Sequence, residues 1–350
     1  MKTLEHFRSR LFEFDNTNYY HDWSQFEDDP RTSNIELHLP AGQYIDKGKF
    51  RDDKINIITG AEWPNGWFGG KTRGMHRKAL DDIEGKFDYI LCQCKMTASK
   101  KGNIFAPYPL DVNHLKSQLN IRDINWGSVS FDNGSPDVKK DIDVFMCGNS
   151  KASLQSPLIP DGGGPCPLVY WENTIKDFNY VWCNASRKPV PWHEKQMLSL
   201  RSKISIVWVD FFHATKKCIE YSQKNYDWIR FKPTTIDKGV STMVTPQTKT
   251  KVYDASFSKS IMLCYKGPFH NEDSPYNSLI EDLFEEGVDF IYFEDCDDLH
   301  RKISEILKDY ENPKYKKMVD SAYDKLVNNL NIDVFYEKYI VPLAEKGKTK

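Results

Sequence analysis

Residues 245–269, TPQTKTKVYDASFSKSIMLCYKGPF, and residues 274–307, SPYNSLIEDLFEEGVDFIYFEDCDDLHRKISEIL, decide the fold of this chain. Good helix formers from Thr248 to Lys259 precede a short apolar run, Ile261–Tyr265, which suits a buried strand. A second apolar run, Asp289–Phe293, follows the next segment. Strands that alternate with helices in this way predict a parallel sheet covered by helices on both faces.

Polar residues mark the predicted helix ends in the second stretch. Ser274 followed by Pro275 is typical of a helix start, because the serine oxygen caps free amides and proline fits the first turn. Gly287 predicts the end of that helix, and Asp295 predicts the start of the next one. Apolar residues then recur on one face of this last helix, at Leu299, Ile303, Ile306 and Leu307. Ligands of such sheets bind beyond the carboxyl ends of the strands, where we expect the site.

Composition limits the class of protein. The 350 residues are enough for two domains, and 39% hydrophobic with 28% charged residues is typical of a soluble globular chain. The net charge of -2 provides no global field for nucleic acid or an anionic membrane. No apolar run is long enough to span a membrane, and the first residues lack the apolar core of a secretory signal. The eight cysteines include no CxxC pair, so we expect a reduced, cytoplasmic protein without structural zinc. The abundance of Lys, Asn, Ile and Asp suggests a viral or bacterial source.

The first half of the chain shows the same alternation in weaker form. One helix is predicted near the start and another over Thr72–Glu84. Strands are predicted at Ile35–Leu39, Lys54–Thr59, Phe87–Cys92 and Asn103–Ala106. The polar stretch from Pro107 to Asp137 predicts a connection out of the first domain.

A second set of strands begins at Asp141–Cys147, which runs directly into Gly148 and Asn149. A glycine turn after the first strand of an α/β unit lets a phosphate approach the backbone. A helix over Trp192–Leu200 and a fully apolar strand over Ile204–Val209 follow. Further helices are expected at 214–223, at 315–326 and after Asp333.

The densest group of polar side chains opens the helix before residue 261. It comprises Gln247, Lys249, Lys251, Tyr253 and Asp254. Lysines and backbone amides at the start of a helix can bind a diphosphate. A carboxylate about two turns further along the helix can accept hydrogen bonds from ribose hydroxyls. The same residues also fit a solvated lysine face with an ordinary helical Asp, and spacing alone favours that simpler interpretation.

The run KVYDA at 251–255, the following strand and the segment IEDLFEEGVDFIYFEDCDDLHRKISEIL resemble the C-terminal donor half of GT-B glycosyltransferases. The likeness is strongest to the group-1 and spore-maturation (CgeB-like) branch. The strand DVFMCGN at 143–149 resembles the start of the same half, so the resemblance covers roughly residues 140–345. Two positions depart from the family pattern: Asp254 stands where the family usually has Glu, and Pro246 replaces the partner Glu.

The resemblance implies an α/β protein of GT-B type, with two Rossmann-like domains whose parallel sheets face a central cleft. Residues 1–138 would form the acceptor-side domain, 139–332 the nucleotide-sugar-binding domain, and 333–350 a C-terminal helix that packs back on the first. A UDP- or GDP-sugar would be the donor substrate, with no obligatory cofactor or metal. Asp254 would bind the ribose, and Lys251 with Gly148 would lie near the phosphates.

Other candidate residues follow from their positions. Glu62 follows a predicted strand at the cleft-facing end, so it is the first choice for a base that deprotonates an acceptor hydroxyl. A reaction that retains configuration would need no such base. Trp63 and Trp67 are candidate platforms for an acceptor sugar, with His76 on the next helix. Lys195, in His193–Glu194–Lys195, could face the phosphates. Each of these also fits an ordinary loop or surface position.

Two Asp-x-Asp triplets, Asp141–Asp143 and Asp295–Asp297, raise the possibility of a Mn²⁺ site of the kind found in GT-A transferases. The first opens a strand, and helix capping explains the second, so we expect no metal. Two rival functions remain. One is a GT-B homologue that binds nucleotide-sugar or glycan without turnover, which the missing Glu at 246 favours. The other is a viral-type DNA-modifying sugar transferase, which the near-neutral charge disfavours.

Overall fold

A computed structural model gives the fold of the chain and describes most of it. The described residues are 1–5, 22–39, 50–61, 84–93, 95–98, 103–107, 109–148, 167–184, 187–188, 190–208, 212–214, 231–233, 241–243, 250–266 and 279–348. Two five-stranded parallel sheets dominate them, one in each half of the chain. The predicted fold class, α/β with two parallel sheets, is confirmed.

The first sheet contains five strands in simple chain order, β1 to β5. They are β1 (Lys2–Glu5), β2 (Ile35–Leu39), β3 (Ile55–Ala61), β4 (Tyr89–Cys92) and β5 (Asn103–Phe105). The strands predicted at 35, 54, 87 and 103 are therefore present. The chain begins with a strand, because Lys2–Glu5 pairs in parallel with Glu36–Leu39; the helix predicted near the start falls mainly on residues outside the described part.

The segment predicted as a simple connection is a small folded unit. A short helix, α1 (Lys95–Ala98), precedes this segment. The unit itself contains the helix α2 (Val112–Gln118) and an antiparallel sheet of β6 (Ile121–Ile124), β7 (Ser128–Phe131) and β8 (Val138–Lys139). Asp111 caps α2 by accepting a hydrogen bond from the amide of His114 at 2.8 Å. Ile121, Val129 and Phe131 are buried and share a core with residues of the second half. Polar residues separate these apolar residues in the sequence, so the local pattern does not predict them as part of the core.

The second sheet has the order β10-β9-β11-β15-β16, with every pairing parallel. Its strands are β9 (Ile142–Cys147), β10 (Tyr180–Cys183), β11 (Ser202–Val207), β15 (Ile261–Tyr265) and β16 (Phe290–Phe293). Three short strands between β11 and β15 form a separate antiparallel sheet: β12 (Phe212–Ala214), β13 (Phe231–Pro233) and β14 (Ser241–Met243). Two strands, β9 and β11, therefore lie side by side in the middle of the second sheet.

Helices cover this sheet. They are α3 (Pro167–Ile175), α4 (Trp192–Leu200), α5 (Thr250–Phe257), α6 (Cys296–Lys308) and α7 (Pro313–Asn329). The cap predicted for α6 is confirmed, because Asp295 accepts a hydrogen bond from the amide of Asp298 at 2.8 Å. On α6 itself, the side chains of Leu299, Ile303 and Ile306 are buried, as the spacing predicts. No helix within the described ranges is both long enough and apolar enough to cross a bilayer.

The helix predicted to run from Ser274 to Gly287 is wrong over its described part. Residues 279–289 form a 3₁₀ turn, Ile280–Asp282, and a loop. Asp282 accepts from the amide of Leu279 at 3.1 Å, and Asp289 accepts from the amide of Glu285 at 2.7 Å. These carboxylates bond to local backbone groups and so stabilise turns instead of a continuous helix. Gly287 has no helix to end; it adopts a left-handed φ of 79° in this loop, a conformation that glycine adopts without strain.

The last residues return to the first half of the chain. They form α8 (Ile332–Phe335), a π-helix (Tyr336–Ile340) and α9 (Val341–Lys346). Their apolar side chains share one core with β2 to β4, with Met1 and with Trp23. The chain passes from one half to the other near Leu110 and again near Leu330, and backbone hydrogen bonds join these two places. The Leu110 amide donates to the Leu330 carbonyl at 2.9 Å, and the Ile332 amide donates to the Leu110 carbonyl at 3.1 Å.

Candidate functional site

The carboxyl edge of the second sheet brings together two residues that follow adjacent strands. Gly148 follows β9 and Trp208 follows β11. A Cβ atom on residue 148 would lie 2.8 Å from Trp208 Cη2 and 2.9 Å from Leu168 Cδ1. Such distances are too short for carbon atoms, so only glycine lets the indole pack directly against the end of β9.

The backbone groups of Gly148 are already used within the fold. Its amide donates to the Cys183 carbonyl at 3.1 Å, and its carbonyl accepts from the Trp182 indole at 3.0 Å. The glycine therefore serves close packing at this edge, while its own amide is committed to β10. The sequence predicts Gly148 near a phosphate; in the structure it lies at the carboxyl edge of the second sheet, with its amide bonded to β10.

Two helices, α4 and α5, meet beside this edge through Asp254. The carboxylate is only 4% exposed, and it accepts from Lys195 Nζ at 2.9 Å and from Gln196 Nε2 at 2.7 Å. One turn further along, the hydroxyls of Ser199 and Ser258 lie 2.9 Å apart. A buried carboxylate is stable only when it is paired and hydrogen-bonded, and Asp254 meets both conditions.

Lys251 lies one turn before Asp254 on α5 and covers the tryptophan. Its Nζ is 3.2 Å from the centroid of the Trp208 ring, a close cation–π contact. Gly148, Lys195, Trp208, Lys251 and Asp254 together are called the edge cluster below. Its members come from two strand ends and two helices that are distant in the sequence.

Cys147 shows that the charged members of the edge cluster share one environment. Burial raises the pKa of its thiol, Lys195 and Lys251 oppose that shift, and Asp254 adds to it. Burial likewise raises the pKa of Cys183, the cross-strand neighbour of Cys147, to about 12. Both thiols are therefore uncharged at neutral pH, which assigns Cys147 and Cys183 to packing.

Tyr253 faces the core. It is fully buried and belongs to the apolar cluster formed with Ile121, Val129 and Phe290. Seven other predicted site residues lie outside the described part of the chain: Glu62, Trp63, Trp67, His76, Asn149, Gln247 and Lys249. Strand β3 ends at Ala61, so Glu62 is the next residue after its carboxyl end.

Three of the four carboxylates of the Asp-x-Asp triplets bond to other groups of the protein. Asp141 pairs with Arg201 at 2.5 Å, and Asp143 pairs with Lys203 at 2.7 Å. Asp295 is the cap of α6. Within the described ranges, no group of three or more His, Cys, Asp or Glu side chains is arranged to hold a metal ion.

The two halves also touch beyond the strand ends. Lys95, shortly after β4, forms an ion pair with Asp282. Beside that pair lies a cavity of about 310 Å³. It is lined by Pro107 from the first half, by Leu283 and Leu330 from the second, and by Phe335 and Tyr339 at the π-helix. The carboxyl side of the first sheet therefore approaches the second half.

Two members of the site were not predicted as functional residues. Trp208 falls at the end of the apolar run 204–209, where it looks like one more buried strand residue. Gln196 follows Lys195 on a helix and has no distinguishing neighbour in the sequence. The only usable signal was that Trp208 follows a strand that ends at the expected binding edge.

No protein-family model matches the chain, and no curated protein sequence matches it. Among solved structures it is similar to S. aureus TarM in complex with Fondaparinux, alpha-GlcNAc-glycerol and UDP, with 8% identity over 88% of this chain and 55% of that chain, at a TM-score of 0.45. It is also similar to Anabaena HepE in complex with UDP and glucose, with 10% identity over 88% of this chain and 78% of that chain, at a TM-score of 0.46. An alpha1,3-fucosyltransferase shows 12% identity over 88% and 78% of the two chains, with a TM-score of 0.40.

The chain spans little more than half the length of some of these proteins, 55% of TarM and 58% of the pneumococcal O-GlcNAc transferase GtfA. At such identities and with TM-scores below 0.5, the likenesses carry no argument about activity. The function of this chain has to be inferred from its own side chains.

Proposed function

We propose that this chain is a GT-B glycosyltransferase, which moves a sugar from a nucleotide-sugar donor to a hydroxyl of a glycan or glycoconjugate. The edge cluster is the observation that carries the proposal. It gathers two ammonium groups and a carboxylate at the carboxyl edge of a parallel sheet, next to a glycine that admits no side chain. Ligands of open α/β sheets bind at this edge. The group-1 or CgeB-like branch is part of the same proposal.

The cations of the edge cluster suit a departing nucleoside diphosphate. As the bond from sugar to phosphate breaks, negative charge develops on the diphosphate, and fixed positive groups lower the energy of that state. Lys251 and Lys195 supply this charge, together with the amides of the first turn of α5. Asn149, Gln247 and Lys249 complete the proposed donor contacts. The reaction needs no obligatory metal, since lysines take the role that a divalent ion has elsewhere.

Asp254 orients the donor site in this proposal. It holds Lys195 at 2.9 Å, so the ammonium is preorganised before the donor arrives. An ionised carboxylate offers about four acceptor positions, and the described contacts show two of them in use. The remaining positions are proposed to accept a hydrogen bond from a ribose hydroxyl. The family pattern has Glu here, whose longer side chain would reach further toward the ribose.

The acceptor is proposed to bind on the first half, across the cleft. The contact of Lys95 with Asp282 supports this arrangement, because it brings the carboxyl side of the first sheet toward the second half. Glu62 is the proposed base, with Trp63, Trp67 and His76 as acceptor contacts. The base would take the proton from the acceptor hydroxyl as the nucleotide departs.

Donor binding and turnover can be tested separately. Wild-type protein would be titrated calorimetrically with UDP, GDP and a panel of UDP-, GDP-, ADP- and TDP-sugars. The donors that bind would then be incubated without acceptor, and release of free sugar would be followed. We expect one nucleotide series to bind and its sugar to be hydrolysed slowly. Absence of binding by every nucleotide, at concentrations up to the millimolar range, would refute the proposed function.

One observation favours a second candidate, a protein that binds nucleotide-sugar without turnover. Both oxygens of Asp254 already bond to the protein's own side chains, and Pro246 stands where the family has a second Glu. The same experiment discriminates the two functions. Tight donor binding without hydrolysis, and without transfer to any glycan tested, would favour the binding protein.

A further inference from the structure

A single buried ammonium group joins the ends of two helices. Lys140 lies just before β9, and its side chain is buried. Its Nζ donates to the carbonyl of Ser202, just after α4, at 2.9 Å. It also donates to the carbonyls of Ser258 and Lys259, just after α5, at 2.6 and 3.1 Å. Carbonyls at a helix end have no partner within the helix, so Lys140 supplies one and fastens α4 to α5 at their carboxyl ends.

The turn that ends α5 has an uncommon backbone conformation. Lys259 adopts a left-handed φ of 49°, at a position where glycine is usual. The Ser260 amide donates to the Ala255 carbonyl and the Lys259 amide to the Ser256 carbonyl, both at 3.1 Å, which is the pattern of a Schellman motif. Lys140 therefore holds the carbonyls of a turn that its own sequence does not favour.

Hydroxyl groups continue the contact between the two helices. The hydroxyls of Ser199 on α4 and Ser258 lie 2.9 Å apart, and the hydroxyl of Ser260 donates to the Ser202 carbonyl at 2.8 Å. The polar seam, as we call it below, comprises Lys140, Lys195, Gln196, Ser199, Asp254, Ser258 and Ser260. Apart from Lys195, all of its members are buried. The seam thus runs from Lys140 to the ion pair of the edge cluster.

Buried polar contacts fix the position of one helix along another more strictly than apolar contacts do. A shift of α4 along α5 would separate buried donors from their acceptors, and each unsatisfied group is costly. Single buried polar residues set the register of helix pairs in coiled coils for this reason. The polar seam therefore sets the register in which Lys195 of α4 meets Asp254 of α5 at 2.9 Å.

We propose that Lys140 is a positioning residue of the donor site. It holds α4 against α5, so that the Lys195 ammonium and the Asp254 carboxylate keep the spacing that the donor requires. The inference rests on the proposed function and adds a residue that does not touch the donor. Without Lys140 the two charges would take several arrangements, and ordering them again on binding would lower the affinity.

A double-variant cycle measures this link. Wild type, Lys140→Met, Asp254→Asn and the double variant would be titrated calorimetrically with UDP, GDP and UDP-glucose. We expect Lys140→Met to lose about fivefold and Asp254→Asn about tenfold in affinity. The double variant should also lose about tenfold, because no pair is left for Lys140 to position. Independent effects would instead multiply to about fiftyfold.

Ile303→Ala is the matched control for lost stability. Ile303 is buried on α6, in the core on the opposite face of the second sheet from α4 and α5. Its truncation destabilises the protein by leaving a cavity and should not change nucleotide affinity. No loss of affinity in Lys140→Met, a fivefold loss in Ile303→Ala, or a fiftyfold loss in the double variant would each overturn the proposal.

Urea unfolding of the same variants tests the link without a nucleotide. The loss of unfolding free energy in the double variant should be smaller than the sum of the two single losses, because Lys140 and Asp254 act through one seam. Losses that add would overturn the proposal. If wild type binds none of the nucleotides, the proposed function fails instead, and the unfolding cycle still decides whether Lys140 and Asp254 are coupled.

Discussion

Asp254 of α5 and Lys195 of α4 form an ion pair, with Nζ 2.9 Å from Oδ2 and only 5% of the aspartate side chain exposed. The pair joins the two helices that border the carboxyl edge of the second sheet. Because the lysine is 16% exposed and the carboxylate also accepts from Gln196, the pair combines a buried anchor with a cation at the edge of the site.

We expect Asp254→Asn to weaken both the fold and donor binding. The change removes the charge that balances Lys195, and breaking a buried pair costs about 3 kcal/mol. Nucleotide affinity should fall about tenfold, since Lys195 loses its orientation and the ribose loses an acceptor. Urea unfolding and calorimetric titration with the nucleotide that binds wild type measure the two effects. Intact nucleotide affinity in Asp254→Asn would contradict the donor-site assignment.

Asp320→Asn provides the comparison for that variant. Asp320 pairs with Lys259 at 2.8 Å on α7, and its side chain is 30% exposed. A partly exposed pair of this kind is expected to contribute about 1 kcal/mol. The control variant should therefore unfold close to the wild-type midpoint and bind nucleotide normally.

Gly148→Ala should destabilise the protein through steric overlap. The new methyl group would lie 2.8 Å from Trp208 and 2.9 Å from Leu168, so the indole has to shift. Overpacking of this kind costs about 1–3 kcal/mol. We also expect a lower affinity for the sugar nucleotide, because the displaced ring shifts Lys251, a proposed phosphate contact. Chemical denaturation and titration of the same preparation measure both.

Gly127→Ala tests whether any methyl group would have the same effect. Nothing lies within 4 Å of a Cβ at residue 127, in the turn between β6 and β7. Its stability should stay within about 1 kcal/mol of wild type, with a slight gain as the expected sign. Equal losses in the two alanine variants would show that close approach to Trp208 is not the cause.

Lys140 should give the protein an unusual pH dependence. Its ammonium is 6% exposed and donates to the carbonyls of Ser202, Ser258 and Lys259 at 2.9, 2.6 and 3.1 Å, where α4 and α5 end. Burial lowers the pKa of Lys140 from 10.5 to about 7. Between these values the unfolded chain binds a proton that the folded chain has released, so the stability of wild type rises with pH.

Comparison with Lys140→Met isolates this effect, because every other titrating group is common to both proteins. The variant leaves buried carbonyls without a donor, and we expect it to lose about 2–3 kcal/mol at pH 9. The gap between wild type and variant should widen from pH 7 to pH 10 in urea unfolding. If the difference in unfolding free energy narrows with rising pH, the three carbonyls stabilise the charged ammonium by more than burial destabilises it.

Glu62→Gln should separate chemistry from donor binding. If Glu62 is the base, transfer to an acceptor should fall at least about 100-fold, because general base catalysis contributes that much or more. Affinity for the free nucleotide should be unchanged. The comparison is Asp111→Asn, which removes the charge but keeps a side chain that can cap α2, so it should cost less than about 1 kcal/mol of stability with near-normal transfer. Full activity in Glu62→Gln would exclude Glu62 as the base.

Much of the second half could be predicted from its sequence. The apolar run Ile261–Tyr265 is a strand with the predicted bounds, and Asp289–Phe293 differs only at its first residue. Both runs are short, β-rich and flanked by polar residues, so local pattern and final burial agree. The helix α6 was equally accessible, because its cap and its apolar face are adjacent in the sequence.

The turn at 279–289 could not be predicted in the same way. The residues of the segment are good helix formers, yet Asp282 and Asp289 form hydrogen bonds with nearby amides that a helix would not allow. Likewise, the apolar spacing of 332–344 does not show that five residues, Tyr336–Ile340, adopt a π-helix. The 332–344 segment packs against the first sheet and the 279–289 turn packs into the core of the second half, and a local sequence pattern contains neither contact.

The edge cluster was predictable in kind and only partly in detail. Lys251 and Asp254 were predicted as site residues, and both lie at the carboxyl edge of the second sheet. The partner of Asp254 lies 59 residues away in sequence, and the partner of Lys251 lies on a strand end. Pairings between such distant residues follow from the order of strands β9, β11 and β15, which no single stretch reveals.

The return of the last helices to the first sheet has a consequence for biosynthesis. The core under β2 to β4 includes Ile332, Tyr336 and Ile340, so a nascent chain cannot bury that surface until these residues have left the ribosome. The cores of the second half are built from residues 110–330 and can close earlier. Domains usually fold in the order of their synthesis. Here the first half completes its core after the second half, and its apolar surface stays exposed to chaperones until then.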